Sequence, residues 1–533
     1  MDYQLTIGQL LCTGLDKAPD QRITSGDQVE FNYRDLGQRI GRLGSALSRL
    51  GLGQGSVIAV MDYDTNRYLE CFFAVPMLGA TLHTINVRLS PDQILYTINH
   101  AEDDAILLHA DFLPLVLPLL PKITRKVALV LISDAPTALP PSFAGEYEAL
   151  LAGGDVAHTF PELAETTRAT LFYTTGTTGD PKGVSYTHRQ LVLHSLGIVA
   201  CFAPVPGRGG IKADDVYMPL TPLFHVHGWG FPLVATMLGM RQVYPGRFDP
   251  AKALALIARH GVTFSHCVPT ILGMLLNAPG SDQVDLSRWK VIIGGSALPE
   301  GLARSALSRG IDVHAAYGMS ETCPILTVAD MAATQGAPGD TTSIRIATGK
   351  PAPLVQLRIV DPDMRDVAHD GVATGEVVAR GPWLTTGYGK NPAASAALWQ
   401  GGWLHTGDVG TMSADGTLRI TDRLKDVIKS GGEWISSLDL ESIISAVPGI
   451  VEVAAVGIPD PRWGERPVVL IVAKVDDAPA AASAAVAAAI AAGRLSKWAA
   501  PERVIRVDSI PKTSVGKIDK KVIRASLAAK ASI

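Results

Sequence analysis

Cysteine is scarce in this sequence. The five residues, Cys12, Cys71, Cys201, Cys267 and Cys323, are scattered and odd in number, and no Cys-x-x-Cys pair occurs. Such spacing supports neither a disulfide framework nor a cysteine zinc site. An excess of one charge is also lacking. The formal net charge of −4 gives no global reason to bind nucleic acid or an anionic membrane. No long hydrophobic run is present either. The one candidate, Ala480 to Ala492, is about a dozen residues, nearly all alanine, and too short to span a bilayer. Alanine favours helix, so a soluble helix is expected there, with no integral membrane association. Met1-Asp2-Tyr3-Gln4 lacks the basic and apolar regions of a signal peptide, and no internal repeat is evident. A cytoplasmic enzyme fits these absences. At 533 residues the chain exceeds what one hydrophobic core supports, so two or more domains are expected.

What is present centres on one stretch, Tyr173-Thr174-Thr175-Gly176-Thr177-Thr178-Gly179-Asp180-Pro181-Lys182-Gly183-Val184. The β-prone run Ala169 to Tyr173 predicts a strand before it, and Ser185-Tyr186-Thr187-His188 is a cap for a helix beginning near Arg189. Glycines let backbone N–H groups turn toward an anion, threonine hydroxyls add donors, and Lys182 adds charge. The composition is that of a phosphate cradle, with a plain surface turn as the alternative. A Walker A loop is excluded, because Pro181 precedes the lysine and Gly183 follows it.

Before this loop, strand and helix patterns alternate. A helix runs from Tyr33 to Leu50, a strand over Val57–Met61, a helix from Tyr68 to about Val75, and strands over 80–85, 106–108 and 127–132, which suggests a parallel α/β layer. Residues 185–330 repeat the alternation. There, Pro222-Leu223-Phe224-His225-Val226-His227-Gly228-Trp229 reads as strand-like, which would aim His225 and His227 to one side. Two such histidines could ligate a metal, but no third ligand lies nearby in sequence, and an active-site wall is the better reading. Val291-Ile292-Ile293 runs into Gly294-Gly295-Ser296-Ala297, a strand end that admits a flat ligand against the backbone. Tyr317-Gly318-Met319-Ser320-Glu321 then supplies a ring, a hydroxyl and a carboxylate, as a nucleotide with a magnesium-type ion needs. From about 341 to 422, short β segments with frequent glycines suggest a small antiparallel barrel or sheet, with Asp408 in a loop. The charged turn at Asp422-Arg423-Leu424-Lys425 leads to Lys429-Ser430-Gly431-Gly432-Glu433-Trp434. A last α+β unit ends near Pro511-Lys512-Thr513-Ser514-Val515-Gly516-Lys517, with Lys520 and Lys521 expected to be solvated.

These motifs, in this order, resemble those of the adenylate-forming enzymes over essentially the whole chain, and within them the medium-chain fatty acyl-CoA and 3-(methylthio)propionyl-CoA ligases. The resemblance implies an α/β fold: a large N-terminal domain, residues 1–424, of two α/β layered subdomains plus a small β-barrel-like subdomain, and a small mobile α+β domain, residues 425–533, hinged at Lys425. It implies a catalytic set of Lys517, Glu321 and His225, with Glu321 holding Mg²⁺. ATP would be held by Thr174, Thr175, Gly176, Thr177, Thr178, Gly179, Lys182, Gly295, Ser296, Ala297, Tyr317, Gly318, Ser320, Asp408 and Arg423. The acyl group would meet His225, Trp229, Gly294 and Gly318, and coenzyme A would meet Lys429, Ser430, Gly431, Gly432, Glu433 and Trp434. The implied reaction is ATP-dependent activation of a short-to-medium aliphatic or thioether acid to its acyl-CoA. The alternatives are an aromatic acid, loading of an acyl carrier protein, and luciferase-type oxidation. At family level a homodimer is also implied.

Overall fold

The structure is a computed structural model that describes residues 3–26, 29–174, 180–205, 209–335, 339–431, 433–513 and 517–531. Among these residues the strands form four sheets. The first runs Gly145–Glu146, Ala128–Ile132, Ala105–His109, Val57–Met61, Thr81–Thr84, Arg168–Thr174 and Lys182–Thr187, parallel except for its last pair. The second has nine strands. Its parallel centre is Asp312–Gly318, Lys290–Ile293, Phe264–Cys267, Val216–Pro219, Arg241–Tyr244 and Arg22–Ser25, and antiparallel strands close both edges. Continuous apolar strands such as Val57–Met61, buried at every position, need cover on both faces. Helices supply it. Tyr33–Arg49 is one, capped by the Asn32 side chain, which accepts from the Asp35 N–H while Asp35 reaches back to the Asn32 N–H.

The phosphate-type stretch departs from expectation after Pro181. The sequence predicts a cap leading into a helix, and Thr187 does cap the helix His188–Phe202, with Gln190 as its partner. Lys182–Thr187, however, is a strand pairing antiparallel with Arg168–Thr174. Its alternating Val184, Tyr186 and their neighbours seat one face on the core, so the chain after Pro181 returns as a strand before it enters the helix.

The expected small barrel is an open sheet. Gln356–Val360, Gly375–Arg380, Leu404–Met412 and Leu418–Arg423 pair antiparallel in chain order, and no ladder joins the first to the last among the described residues. Four strands are too few to curl closed. Asp408, expected in a loop, lies within the third of these strands.

The C-terminal unit has cores of its own, which draw only on residues from Ile428 onward. Its long strands Ile450–Asp460 and Gly464–Ala473 are flanked by Ser437–Ser445, Ala478–Ala491 and Lys520–Ala531. The alanine-rich stretch is thus a packed helix, and no helix among the described residues is long and apolar enough to cross a membrane. Lys520 is not solvated as expected. Its ammonium lies 2.8 Å from Glu441 and donates to Ser437 Oγ at 2.5 Å, while the Ser437 N–H donates to Asp422.

The two parts meet where the helix Glu300–Ser308 approaches Ser437–Ser445. A Cβ added at Gly301 would lie 2.0 Å from the Ser445 carbonyl oxygen, so only glycine permits this approach. Gly301→Val should push the C-terminal unit away without unfolding either part. The expected result is an unchanged far-ultraviolet spectrum with faster modification of Lys517 by an amine reagent. Unchanged protection of Lys517 would contradict the role given to this contact.

Candidate active site

After the strand Val216–Pro219 the chain does not continue extended but turns. Val226, His227, Gly228, Trp229 and Gly230 all have positive φ, between 48° and 75°, and wind one left-handed turn. Left-handed backbone costs about 1–2 kcal/mol for each residue with a Cβ, so the surroundings must hold it. They do so by hydrogen bonds: Leu223 N–H donates to the Asp64 carboxylate at 2.7 Å, and Thr84 Oγ1 donates to the Phe224 carbonyl at 2.8 Å. Both partners belong to the other large sheet or its loops. Burial pushes the Asp64 carboxyl up to about 7.

This turn separates the two histidines that strand alternation would place together. His225 and Trp229 line a cavity with Gly294, Gly295, Tyr317, Gly318, Ser320 and Lys517. His227 instead packs among Phe72, Phe172 and Tyr186, with neither ring nitrogen hydrogen-bonded among the described residues. Burial lowers both histidines to about 3, for His225 reinforced by Lys517, so both are neutral. Among the described residues no group of three or more His, Cys, Asp or Glu is placed to hold a metal ion.

The cavity has a volume of about 30 Å³ and opens to solvent. Gly294 is its close-packed side: an added Cβ would meet the Trp229 indole at 3.1 Å. Val226, Ala316, Met319, Pro324 and Ile325 complete the apolar lining, and the sequence reading singled out none of the five as site residues. Lys517 enters from the C-terminal unit. Its stem crosses Gly295, whose φ is +80° and where a Cβ would lie 3.1 Å from Lys517 Cε.

Around Lys517 the charges are organised. Tyr317 OH donates to Asp408 at 2.7 Å, and Arg423 Nε lies 3.4 Å from the other Asp408 oxygen. Burial raises the Asp408 carboxyl, and Arg423 and Tyr317 oppose that rise. Lys517 is lowered to about 8, first by burial and then by Arg423, with Asp408 and Glu321 pulling the other way. Glu321 is buried and accepts from Tyr388 OH at 2.7 Å, and Tyr186 OH donates to the Ser320 carbonyl at 2.6 Å. Ser296 and Ala297 are exposed and stand outside the cavity lining. Of the phosphate-type loop, Thr174 and Lys182 pair across the hairpin, whereas Thr175, Gly176, Thr177, Thr178 and Gly179 lie outside the described residues.

The Lys429–Trp434 segment is elsewhere. It forms a hairpin, Ile428–Ser430 with Glu433–Ile435, and does not line the cavity; Gly432 lies outside the described residues. Ser430 is buried and accepts from Arg466, while Trp434 is 56% exposed, with the Lys429 ammonium 5.6 Å from its ring centre. Beside it stand two tryptophans the sequence did not mark, Trp463 and Trp498, with ring centres 4.7 Å apart. Arg462 covers the first and Lys497 the second. The only signal for them in the sequence is a basic residue beside each tryptophan.

Comparison with known proteins agrees with this geometry. The AMP-binding enzyme profile matches residues 13–389, and that of the AMP-binding enzyme C-terminal domain matches 439–517. The chain is 38% identical over 510 residues to a 3-methylmercaptopropionyl-CoA ligase of Ruegeria pomeroyi, covering 94% of this chain and 92% of that one. It is 38% identical over 511 residues to a long-chain-fatty-acid–CoA ligase of Thermus thermophilus, covering 94% and 91%. The crystal structure of the anthranilate CoA ligase AuaEII in complex with anthranoyl-AMP shares the fold, with a TM-score of 0.87 at 23% identity over 99% of each chain. The lysine-tipped cleft and these full-length matches lead to one conclusion: the chain belongs to the AMP-binding enzyme family, in its acyl-CoA synthetase branch.

Proposed function

We propose that the protein activates a short-to-medium-chain aliphatic or thioether acid with ATP and passes the acyl group to coenzyme A, releasing AMP and pyrophosphate. The observation that carries this reading is Lys517, seated in a cavity whose walls are apolar on one side and nucleotide-like on the other. A carboxylate is a poor acyl donor because its leaving group would be oxide. Attack of a carboxylate oxygen on the α-phosphorus of ATP forms an acyl–phosphate bond and breaks the bond to pyrophosphate, so that AMP later becomes the leaving group. Two anions must approach each other, and Lys517 is the cation positioned to offset their repulsion.

The nucleotide would lie with adenine against the Tyr317 ring and the backbone of Gly295, Ser296, Ala297 and Gly318. Asp408 would accept from the ribose hydroxyls, with Arg423 beside it, and Ser320 would donate to the α-phosphate. Thr174, Lys182 and the loop between them would hold the departing pyrophosphate. Glu321 suits Mg²⁺, which binds through one or two carboxylates plus phosphate oxygens and water, and the ion would neutralise phosphate charge. Neutral His225 would line the acyl channel as a polar wall without charge.

The substrate class follows from the lining. Trp229 and Gly294 bound the space, and among the described residues Lys517 is the only Lys or Arg in the lining. A methylthio group is roughly isosteric with a short alkyl segment and would fill the same space.

Lys517 in this position would block a thiol approaching the adenylate. A rotation of residues 425–533 about Lys425 would withdraw it and bring Gly431 and Gly432 toward the pantetheine arm, with Lys429, Ser430, Glu433 and Trp434 alongside. The paired tryptophans with Arg462 and Lys497 suit the nucleotide end of coenzyme A, offering ring faces to adenine and cations to phosphate.

Three measurements test this reading. AMP release and thioester formation, followed with acetate, butyrate, hexanoate, octanoate, palmitate, 3-(methylthio)propionate, benzoate and cinnamate, should appear together for the aliphatic and thioether acids only. Adenylate without thioester in the presence of coenzyme A would favour a carrier protein as acceptor. Lys517→Ala should slow adenylate formation at least about 100-fold while sparing thioester synthesis from supplied acyl adenylate; equal loss in both steps contradicts the division. Lys517 is a base held at about 8, so it is charged below that pH and neutral above it. The kcat/KM for ATP–pyrophosphate exchange should therefore fall as pH rises past about 8, whereas an unshifted lysine would hold it level to above pH 9.

A further inference from the structure

Tyr388 lies in none of the motifs singled out in the sequence, yet it touches both Glu321 and Lys182. Its hydroxyl donates to Glu321 Oε1 at 2.7 Å, a charge-assisted contact. Its ring carries the Lys182 ammonium 4.7 Å from the centroid.

The surrounding segment reinforces the connection. The Thr385 N–H donates to the Glu321 carbonyl at 2.9 Å, and the Gly389 N–H donates to the Gly183 carbonyl at 2.9 Å. Tyr388 also makes an antiparallel bridge with Val184, on the strand that Lys182 opens. Thr385 Oγ1 donates to the Ser185 carbonyl at 3.3 Å, and Trp399 Nε1 to the Thr385 carbonyl at 3.0 Å. Residues 385–389 therefore form a strap from the Glu321 turn to the exit strand of the phosphate loop, with Tyr388 as its one side chain in contact with both functional groups.

We propose that Tyr388 is a positioning residue that fixes the carboxylate of Glu321 and the ammonium of Lys182 relative to each other, and so presets the site for the β- and γ-phosphates of Mg²⁺-ATP. This rests on the ligase reading above. Without the hydroxyl, the Glu321 carboxylate loses its fixed orientation. Without the ring, Lys182 loses the face that holds its ammonium in place beside the strand it opens. Neither contact reaches the adenosine end, where Tyr317, Asp408 and Arg423 are grouped. The consequence is selective: ATP binding depends on Tyr388 and AMP binding does not.

The test uses the full chain without acid or coenzyme A and measures Kd for Mg²⁺-ATP and for AMP by calorimetry. Tyr388→Phe, which keeps the ring, should weaken Mg²⁺-ATP about tenfold and raise the Mg²⁺ concentration needed for half-maximal ATP binding, with AMP within about twofold. Tyr388→Leu should weaken Mg²⁺-ATP about threefold further, and that increment should vanish when Lys182 is replaced by methionine. A thermal midpoint near that of the unaltered protein verifies folding, and the phenylalanine variant serves if the leucine variant is unstable. Parallel weakening of ATP and AMP, or unchanged ATP affinity, overturns the proposal. If the unaltered protein binds neither nucleotide, the ligase reading falls and this inference falls with it.

Discussion

The position of one ammonium group governs the rest of the architecture. Lys517 is carried by a unit with its own cores, yet its Nζ sits in a cavity of the other part, under the influence of Arg423, Asp408 and Glu321. Holding a lysine there costs desolvation, which is why its pKa falls to about 8. The two carboxylates partly offset that cost. Under the proposed function, a bound carboxylate and α-phosphate would offset more of it. Gly295 and Gly301 make the insertion sterically feasible, one beneath the lysine stem and the other at the helix contact between the two parts.

The walls of the site are held by connections between sheets rather than by any one sheet. The left-handed turn at residues 226–230 is anchored by Asp64 and Thr84. The Glu321 turn is anchored through Thr385 and Tyr388 to the strand after the phosphate loop. In each case a locally unfavourable or flexible segment is fixed by hydrogen bonds from a part of the chain distant in sequence. Strained backbone beside a binding cavity is a common use of such bracing, because it presents side chains at angles that regular structure does not offer.

Much of the secondary structure could be read in advance because hydrophobic runs and caps are local. The strand over 57–61, the helix from Tyr33 and the alanine-rich helix all follow from periodicity and propensity. Misread segments were those whose conformation depends on distant partners. His225 and His227 looked like alternating strand residues until the turn sent one into the cavity and the other among aromatic rings. Lys520 looked like part of a charged tail until Glu441 and Ser437 were found beside it. The small barrel stays open because four strands cannot close on themselves.

The sequence by itself determined the reaction class, because the motifs that carry it are short and contiguous and their order survives without knowledge of the fold. Tertiary structure alone decided which motif residues share a cavity, that the Lys429–Trp434 hairpin stands apart from it, and that Tyr388 joins Glu321 to Lys182. The physical reason is range. A motif records what the chemistry needs at one place along the chain, whereas burial, pKa and charge pairing are set by groups hundreds of residues away that only folding brings within a few ångströms.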